Sequence, residues 1–344
     1  MSEILIADYN IDNAWENFLE DGNIDTDINN SNNSIFVSKS DIPKGTDIYI
    51  STKTKIAHLS IPINLYDVFW KINVNPYHIP KEGIIKKQIK YNFTDKESLD
   101  EIEEKLQNEK NVDQHIITQI INPSGRIKFK DIRKITIGLS NKDILSYRSK
   151  KKSAFYNCFV LIMRIKEADI FKEIHIKVFN TGKLEIPGIR TNILLNRVLD
   201  LLVEILKPYT SDKLICNKNN CETVLINSNF NCGFYINRDK LYNILKYQYK
   251  IDCIFDACQY PGIQCKYYYT DTDNDKLYKI SFMIFRTGSI LIVGKCDEHI
   301  LNIIYEYIKN LLITEYPAIN VKNTQVVNHV EKKKKIKKKV IYIE

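Results

Sequence analysis

The feature that most constrains this chain is an internal repeat whose two copies lie 106 residues apart. The segment IHIKVFNTGKLEIPG (174–188) matches ISFMIFRTGSILIVG (280–294), and Phe179 aligns with Phe285. Each copy alternates apolar and polar residues, turns at a glycine and continues as a second apolar segment. Both halves of the chain are therefore predicted to contain the same β-hairpin.

The repeat continues into a helix in both halves. Thr191 and Asp297 occupy equivalent positions and are good N-cap residues. The segments that follow, 192–206 and 298–312, place apolar residues at helical spacing. A duplicated strand–turn–strand–helix unit predicts an α+β fold with one sheet layer backed by amphipathic helices. Such helices cover one face of the sheet, so an apolar second face is either buried by further elements or used for binding.

Composition divides the chain into four segments. Residues 1–48 are acidic and then Asn-rich, which predicts a flexible arm. The two repeats occupy 49–209 and 210–318, and the first contains an insertion at about 80–134 with capping-box spacing at Thr94 and Glu97. Residues 319–344 form a basic, Lys-rich tail, for which a nuclear-localisation signal, a DNA clamp and a solubilising end are equally open.

The bulk composition favours an intracellular protein with an acidic partner. The formal net charge is +8, and no apolar stretch is long enough to span a bilayer. The N-terminus lacks the plan of a signal peptide, so the eight cysteines are interpreted as reduced thiols. No membrane association is expected.

No pattern in the sequence points to catalysis or metal binding. The six histidines are scattered, and there is neither a glycine-rich dinucleotide motif nor a carboxylate cluster. The cysteine spacings at Cys216–Cys221 and Cys253–Cys258 are loose for structural zinc, and no histidine pair reinforces them. The chain is predicted not to be an enzyme and to need no cofactor.

Several segments, taken in order, resemble the TATA-box-binding protein family. They are CFVLIMRIKEA (158–168), FNTGK (179–183), QYPGIQCK (259–266) and FMIFRTGSILIVG (282–294), with TKIAHLSIPINL (54–65) as an opening strand. The resemblance covers most of 54–315 apart from the insertion. The extra segments and the Asn-, Ile- and Lys-heavy composition look most like the forms that large DNA viruses carry. The resemblance implies a curved antiparallel saddle sheet of two pseudo-symmetric repeats, whose concave face presses on the minor groove of DNA.

The resemblance also implies aromatic wedges that intercalate at each end of the bound site. Residues before the two hairpin turns match directly, and the aromatic before Pro-Gly in the second repeat is a tyrosine. At the fourth position the ungapped residue is Cys158, so Phe159, Tyr156 or Phe155 could serve only with a bulge or a register shift. The four candidate wedges are Phe179, Phe285, Tyr260 and Phe159.

Other site residues follow from the same resemblance. The positions that read the central bases hold His58 in the first repeat and Asn227 in the second, where the ungapped alternative is Leu225. The candidate DNA-backbone contacts are Arg164, Lys183, Arg190, Lys266 and Lys295. Asp252 and Asp256, in the loop before Tyr260, are candidate contacts for a IIB-type initiation factor.

The implied function is transcription initiation: AT-rich double-stranded promoter DNA would be bound in the minor groove and bent by the wedges. The implied partners are a IIB-type factor and the RNA polymerase machinery, with the chain acting as a monomer on DNA in a host nucleus or a cytoplasmic viral factory. The alternative is a degenerate saddle that serves as a protein-interaction scaffold in a transcription complex without bending DNA.

Overall fold

The computed structural model describes residues 42–145, 155–271 and 275–321. The lysine run and all but the last residues of the predicted acidic arm lie outside these ranges. The described residues of the two repeats build one antiparallel sheet with helices packed against it.

The sheet contains twelve strands. They are β1 (Tyr49–His58), β2 (Gly83–Phe93), β3 (Val112–Ile121), β4 (Phe129–Gly138), β5 (Cys158–Glu167), β6 (Ile170–Phe179), β7 (Lys183–Ile189), β8 (Glu222–Asn231), β9 (Asp252–Ile254), β10 (Gly262–Asp271), β11 (Lys276–Phe285) and β12 (Ser289–Gly294). Their order across the sheet is β3-β4-β2-β5-β6-β7-β1-β8-β12-β11-β10-β9.

The helices within the described residues connect these strands. They are α1 (Leu65–Lys71), α2 (Lys96–Gln107), α3 (Asn141–Leu145), α4 (Asn192–Leu206), α5 (Arg238–Asn243), α6 (Glu298–Thr314) and α7 (Tyr316–Ile319). A π-turn, Ile244–Gln248, continues α5, and short 3₁₀ segments lie at Lys207–Tyr209 and Lys218–Asn220.

The strand order is nearly symmetric about its centre, where β1 pairs with β8. Outward from this pair, one side runs β7, β6, β5, β2 and the other runs β12, β11, β10, β9. Each hairpin of the sequence repeat therefore occupies the same place in its half of the sheet. The predicted fold class, an α+β saddle of two pseudo-symmetric repeats backed by amphipathic helices, is confirmed.

The additional elements of the first repeat lie between β2 and β5. Strand β2 holds the place that β9 holds in the second half, because each pairs with the first strand of the next hairpin, β5 or β10. The first repeat therefore has α2, β3, β4 and α3 at the place where the second repeat has only the loop 255–261. Helix α2 begins after Asp95, whose carboxylate accepts from Ser98 N at 2.8 Å, so Asp95 is the N-cap in place of Thr94.

One face of the sheet is packed against the helices of both repeats. Thr191 Oγ1 accepts from Leu194 N at 3.2 Å and starts α4, whose leucine and valine stripe is buried. Helix α6 starts after Asp297 and buries the equivalent stripe. Strand residues on this covered face, such as Ile176 and Ile284, are fully buried. The opposite face is called the open face below.

The inserted elements are anchored to the covered face. Helix α2 contributes Leu99, Ile102 and Leu106 to the same apolar core. Lys87 of β2 is buried there and donates to Ile72 O at 2.8 Å, with Glu109 Oε1 at 3.7 Å. Burial lowers the pKa of Lys87, and the Glu109 carboxylate partly offsets this. The insertion is therefore an integral part of the sheet and core.

Candidate nucleic-acid interface

Strand alternation assigns the open face of the first repeat. On β6 the helix-facing residues Ile174, Ile176 and Val178 are buried. Their neighbours point to the open face because successive side chains in a strand alternate. These open-face residues are Glu173, His175, Lys177 and Phe179, and all are exposed or half-buried.

The open face of the second repeat is more apolar. Ile280, Phe282 and Ile284 of β11 face the helices, so Ser281, Met283 and Phe285 face the other way. Leu291 and Val293 of β12 lie beside them through the β11–β12 pairing. Phe285 has only 7% of its surface exposed. The side of the second repeat opposite its helices is therefore apolar, and Met283, Phe285, Leu291 and Val293 are buried there.

Tyr260 and Phe285 form an aromatic pair at one end of this patch. Their ring centroids are 6.0 Å apart, and Tyr260 OH lies 3.9 Å from Met283 Sδ. Gly262 makes the approach possible, since a Cβ there would lie 3.0 Å from the Tyr260 ring and 3.1 Å from the Phe285 ring. Burial raises the pKa of Tyr260 to about 12, so its hydroxyl is neutral at physiological pH.

The register of the first repeat identifies the counterpart of Tyr260. Cys158 is paired with Phe179 as Gly262 is paired with Phe285. Tyr156 therefore precedes Cys158 by two residues, as Tyr260 precedes Gly262. The β10–β11 hairpin is two residues longer than the β5–β6 hairpin, which is why an ungapped alignment misses this correspondence.

Phe159 does not lie on the open face, and its assignment as a wedge is corrected. It pairs with Val178 on the covered face, has 0% of its surface exposed and lies 6.3 Å from the Phe69 ring. The neighbouring cysteine is on the open face but buried, and burial raises the pKa of the Cys158 thiol to about 11. Phe159 is thus a core residue.

Tyr156 and Phe155 are the exposed aromatics at this end of the first repeat, with 45% and 55% of their surfaces accessible. Lys90 Nζ lies 3.8 Å from the Tyr156 ring centroid, and Lys177 Nζ lies 5.7 Å from that of Phe155. Both lysines face the open side, so the two rings lie there too. The sequence analysis gave Tyr156 and Phe155 only as alternatives. Tyr156 lies two residues before Cys158, the partner of Phe179, and this spacing selects it.

Four of the five candidate DNA-backbone residues are accessible. Lys183 Nζ lies 5.6 Å from the Phe179 ring centroid, and Lys266 is exposed on the open face of β10. Arg190 and Lys295 are exposed where β7 and β12 lead into α4 and α6. Lys183 lies beside an aromatic candidate, whereas Arg190 and Lys295 follow the ends of β7 and β12 that are far from the hairpin turns.

Arg164, the fifth candidate, is already engaged within the protein. Its guanidinium is buried, donates from Nη1 to Tyr77 O at 2.9 Å and Ile79 O at 3.0 Å, and stacks 4.5 Å from the Tyr77 ring. A guanidinium that satisfies backbone carbonyls in this way is not presented to a phosphate. The prediction for Arg164 is therefore corrected to a structural role in holding the α1–β2 connection.

The two predicted base-reading residues are not brought together. Asn227 is central, where its Nδ2 donates to Thr52 Oγ1 at 3.3 Å. His58 lies at the end of β1 opposite Lys183, which is the place that Asn231 takes opposite Ser289 in the second repeat. By the same register the counterpart of Asn227 is Thr54, a buried residue. The centre of the open face therefore holds the Asn227 amide beside Thr52, with Thr54 buried next to them.

The two predicted partner-binding aspartates lie at the β9–β10 end of the sheet. Asp252 is exposed and paired with Lys266, and Asp256 is exposed in the loop before Tyr260. Asp256 Oδ1 accepts from Cys258 N at 2.9 Å, which orders the loop. Both carboxylates are accessible from solvent.

A short segment, residues 140–145, crosses the open face of the first repeat and is called the strap. Lys86 of β2 is buried beneath it and donates to both carboxylate oxygens of Asp143 at 2.7 Å. Asn141 N donates to Glu173 at 3.0 Å. Burial raises the pKa of Asp143, but the hydrogen bonds from Lys86 and Ser140 outweigh this and hold it below its usual value.

Within 42–145, 155–271 and 275–321, no three His, Cys, Asp or Glu side chains are grouped as metal ligands. In the same ranges no helix combines the length and apolarity needed to cross a membrane. Burial raises the pKa of the Cys216 thiol to about 11.

Comparison with known proteins supports the resemblance in the sequence. No family model matches the chain. A protein of Acanthamoeba polyphaga mimivirus named TATA-box-binding protein-like is 29% identical over 205 residues, which cover 53% of this chain and 55% of that protein. The chain thus matches about half of the relative's length. The solved structure of Methanococcus jannaschii TBP matches with a TM-score of 0.38 and 13% identity, covering 78% of this chain and 99% of that one. The predicted similarity to the TATA-box-binding protein family, in a divergent form, is confirmed.

Proposed function

We propose that this protein is a transcription initiation factor that binds AT-rich promoter DNA in the minor groove and bends it. The observation that carries the proposal is the placement of aromatic side chains at symmetric ends of the open face. Tyr260 and Phe285 lie at one end, and Phe179 and Tyr156 lie at the other.

Aromatic rings in such positions suit the chemistry of DNA bending. Apolar wedges inserted between base pairs unstack a step and kink the duplex, and the bent duplex then contacts more of the protein surface. The apolar strip of Met283, Leu291 and Val293 matches the floor of a minor groove better than its phosphates. A preference for AT-rich sequence follows, because the guanine amino group obstructs close approach and AT-rich steps deform more easily.

The basic residues around the open face supply the sequence-independent part of binding. Lys183, Arg190, Lys266 and Lys295 are accessible to solvent. Phosphate contacts release counterions, so the affinity is expected to fall steeply with salt. Asn227 is the base-reading candidate at the centre, with Thr52 and Thr54 beside it in place of His58.

The proposed protein partner is inferred from the position of two exposed carboxylates. Asp252 and Asp256 offer exposed carboxylates beside the second aromatic pair, which suits a basic surface of a IIB-type initiation factor bound next to the kinked DNA. The protein would act as a monomer on DNA with the RNA polymerase machinery, without catalytic activity, in a host nucleus or a cytoplasmic viral factory.

A scaffold that binds proteins and does not bend DNA is the second candidate. Two observations favour it: Arg164 is engaged by the carbonyls of Tyr77 and Ile79, and the strap buries Lys86 on the open face. Both remove positive charge from the first repeat where a duplex would need it. The two candidates differ in whether the aromatic residues deform DNA.

Energy transfer between dyes at the two ends of a duplex tests the proposal. Wild type should shorten the end-to-end distance of an AT-rich duplex more than that of a GC-rich one, and Tyr260→Ala or Phe285→Ala should abolish the shortening. Tyr247→Ala removes an exposed aromatic from the π-turn after α5 and serves as the matched control. Salt-sensitive binding that is equal on both duplexes and leaves them straight would favour the scaffold.

A further inference from the structure

The β3–β4 hairpin extends the sheet beyond the repeat on one side only. It is paired to β2 through β4, whereas β9 is the last strand at the opposite edge of the described sheet. Two strands widen a sheet by about 10 Å, which corresponds to roughly three base pairs of duplex. The hairpin therefore lies where DNA leaving the first-repeat end of the open face would pass.

The hairpin carries basic residues at its turn and on its open face. Arg126 and Lys128 are exposed in the turn, and Lys130 and Lys134 of β4 are half-buried. Lys134 pairs with Lys90, which places it on the open side. No acidic residue occurs between Asn122 and Lys130.

The acidic residues of β4 and α2 lie on the other side of the sheet. Asp131 is fully buried on the covered face, where Arg133 Nε donates to its Oδ1 at 2.6 Å. Arg133 Nη1 also donates to Glu103 of α2 at 2.6 Å. Asp131 and Glu103 therefore pair with Arg133 on the covered side of the hairpin.

The turn of the hairpin also lies at the same end of the strands as the first-repeat aromatics. Asp131 at the start of β4 is paired with Phe93 at the end of β2, and Tyr156 lies over Lys90 of that strand. The basic turn is therefore next to the place where Tyr156 and Phe179 would kink the duplex.

We propose that the β3–β4 hairpin is a second DNA-binding element, which grips the phosphate backbone of the duplex flanking the bent site on the first-repeat side. This inference rests on the proposed function for the identity of the ligand. The second repeat has only the 255–261 loop at the corresponding place. The additional phosphate contacts therefore form on one flank only and orient the protein on a nearly symmetric site.

Hydroxyl-radical footprinting and salt titration of the full chain on an AT-rich duplex with long flanks test the proposal. Wild type should protect about three more base pairs on one flank than on the other. The double variant Arg126→Ala/Lys128→Ala should lose that extra protection and lower the slope of log affinity against log salt by about two. The control Lys96→Ala/Lys105→Ala removes the same charge from α2 on the covered face and should change neither.

The outcomes separate this proposal from the proposed function. Symmetric protection in wild type, or an unchanged slope in the turn variant while the duplex is still bent, would overturn the hairpin proposal and leave bending intact. Protection on one flank that depends on Arg126 and Lys128, on a duplex that stays straight, would support the hairpin proposal and contradict the bending mechanism.

Discussion

The two repeats share a hairpin and a helix but differ where the aromatic residues meet. In the second repeat Gly262 leaves room for the Tyr260 and Phe285 rings to lie 6.0 Å apart. In the first repeat Cys158 occupies the place of Gly262 opposite Phe179. Opposite the phenylalanine of the hairpin turn, the first repeat therefore has a cysteine side chain where the second repeat has a glycine.

The repeats also differ in what surrounds these rings. The second repeat joins β9 to β10 through residues 255–261, whereas the first places a helix, a hairpin and the strap between β2 and β5. The strap covers Lys86, and the hairpin adds basic residues beyond it. The aromatic positions of the first repeat therefore have more structural elements around them than those of the second.

The largest expected effect distinguishes core from wedge positions. Phe159 and Ile263 occupy equivalent places on the covered face, and each is fully buried. Phe159→Ala should lower the free energy of unfolding by about 3–5 kcal/mol and Ile263→Ala by about 2–5 kcal/mol. Tyr156→Ala, at an exposed position, should change it by less than about 1 kcal/mol. Urea denaturation measures all three.

A small loss for Phe159→Ala together with a large loss for Tyr156→Ala would reverse the assignment of faces. It would return Phe159 to the open side and contradict the register that pairs it with Val178.

The sequence alone was sufficient for the repeat and its faces, and particular residues show why. The 106-residue offset aligned Phe179 with Phe285 and both N-cap residues, because hairpin turns and helix starts impose strong local requirements. Those elements lie in the structure as predicted. The hairpins around Phe179 and Phe285 also occupy symmetric places in the sheet.

The errors arose where a local pattern does not determine register or tertiary contacts. The fourth wedge was assigned to Phe159, three residues after Tyr156, because the sequence pattern does not fix the strand register; a shift by an odd number of residues moves a side chain to the other face. Arg164 has the charge of a phosphate contact, but only the folded chain brings the carbonyls of Tyr77 and Ile79 to it. The pairing of β1 likewise places His58 at the end of that strand opposite Lys183, which the sequence pattern alone does not specify.

A second prediction compares the ion pair of the strap with a more exposed one near the second repeat. Asp143→Ala leaves the Lys86 ammonium buried without that carboxylate and should lower the free energy of unfolding by about 1–3 kcal/mol. Glu298→Ala removes the partner of Lys53 at a mostly exposed position and should change it by less than about 1 kcal/mol.

The stability that Asp143 contributes through the strap depends on pH, and the direction follows from the lowered pKa of this residue. The pKa of Asp143 in the folded state lies below its ordinary value of 3.8, so its stabilising contribution is complete above that value. The contribution is lost as the pH falls through the depressed pKa, and wild type and Asp143→Ala should then approach equal stability. Unfolding curves that stay equally far apart at neutral and strongly acidic pH would show that the carboxylate charge does not hold the strap.

The smallest expected change converts the second repeat to the pattern of the first. Gly262→Cys places a Cβ about 3 Å from both rings, so Tyr260 and Phe285 must separate. The loss in stability should be about 1–2 kcal/mol, measured by urea denaturation. The variant should also bend an AT-rich duplex less than wild type, although both rings are retained. Full bending by a stable Gly262→Cys protein would mean that contact between the rings before binding is unimportant.

Base unstacking at each end of the bound site tests the central claim most directly. A fluorescent adenine analogue that brightens when unstacked is placed at one end step of an AT-rich duplex, and at the other end step in a second duplex. We expect wild type to brighten both, Tyr260→Ala to lose the signal at one end, and Tyr156→Ala to lose it at the opposite end. If wild type binds both duplexes without brightening either probe, or if Tyr156→Ala leaves both signals unchanged, the account of symmetric aromatic wedges is contradicted.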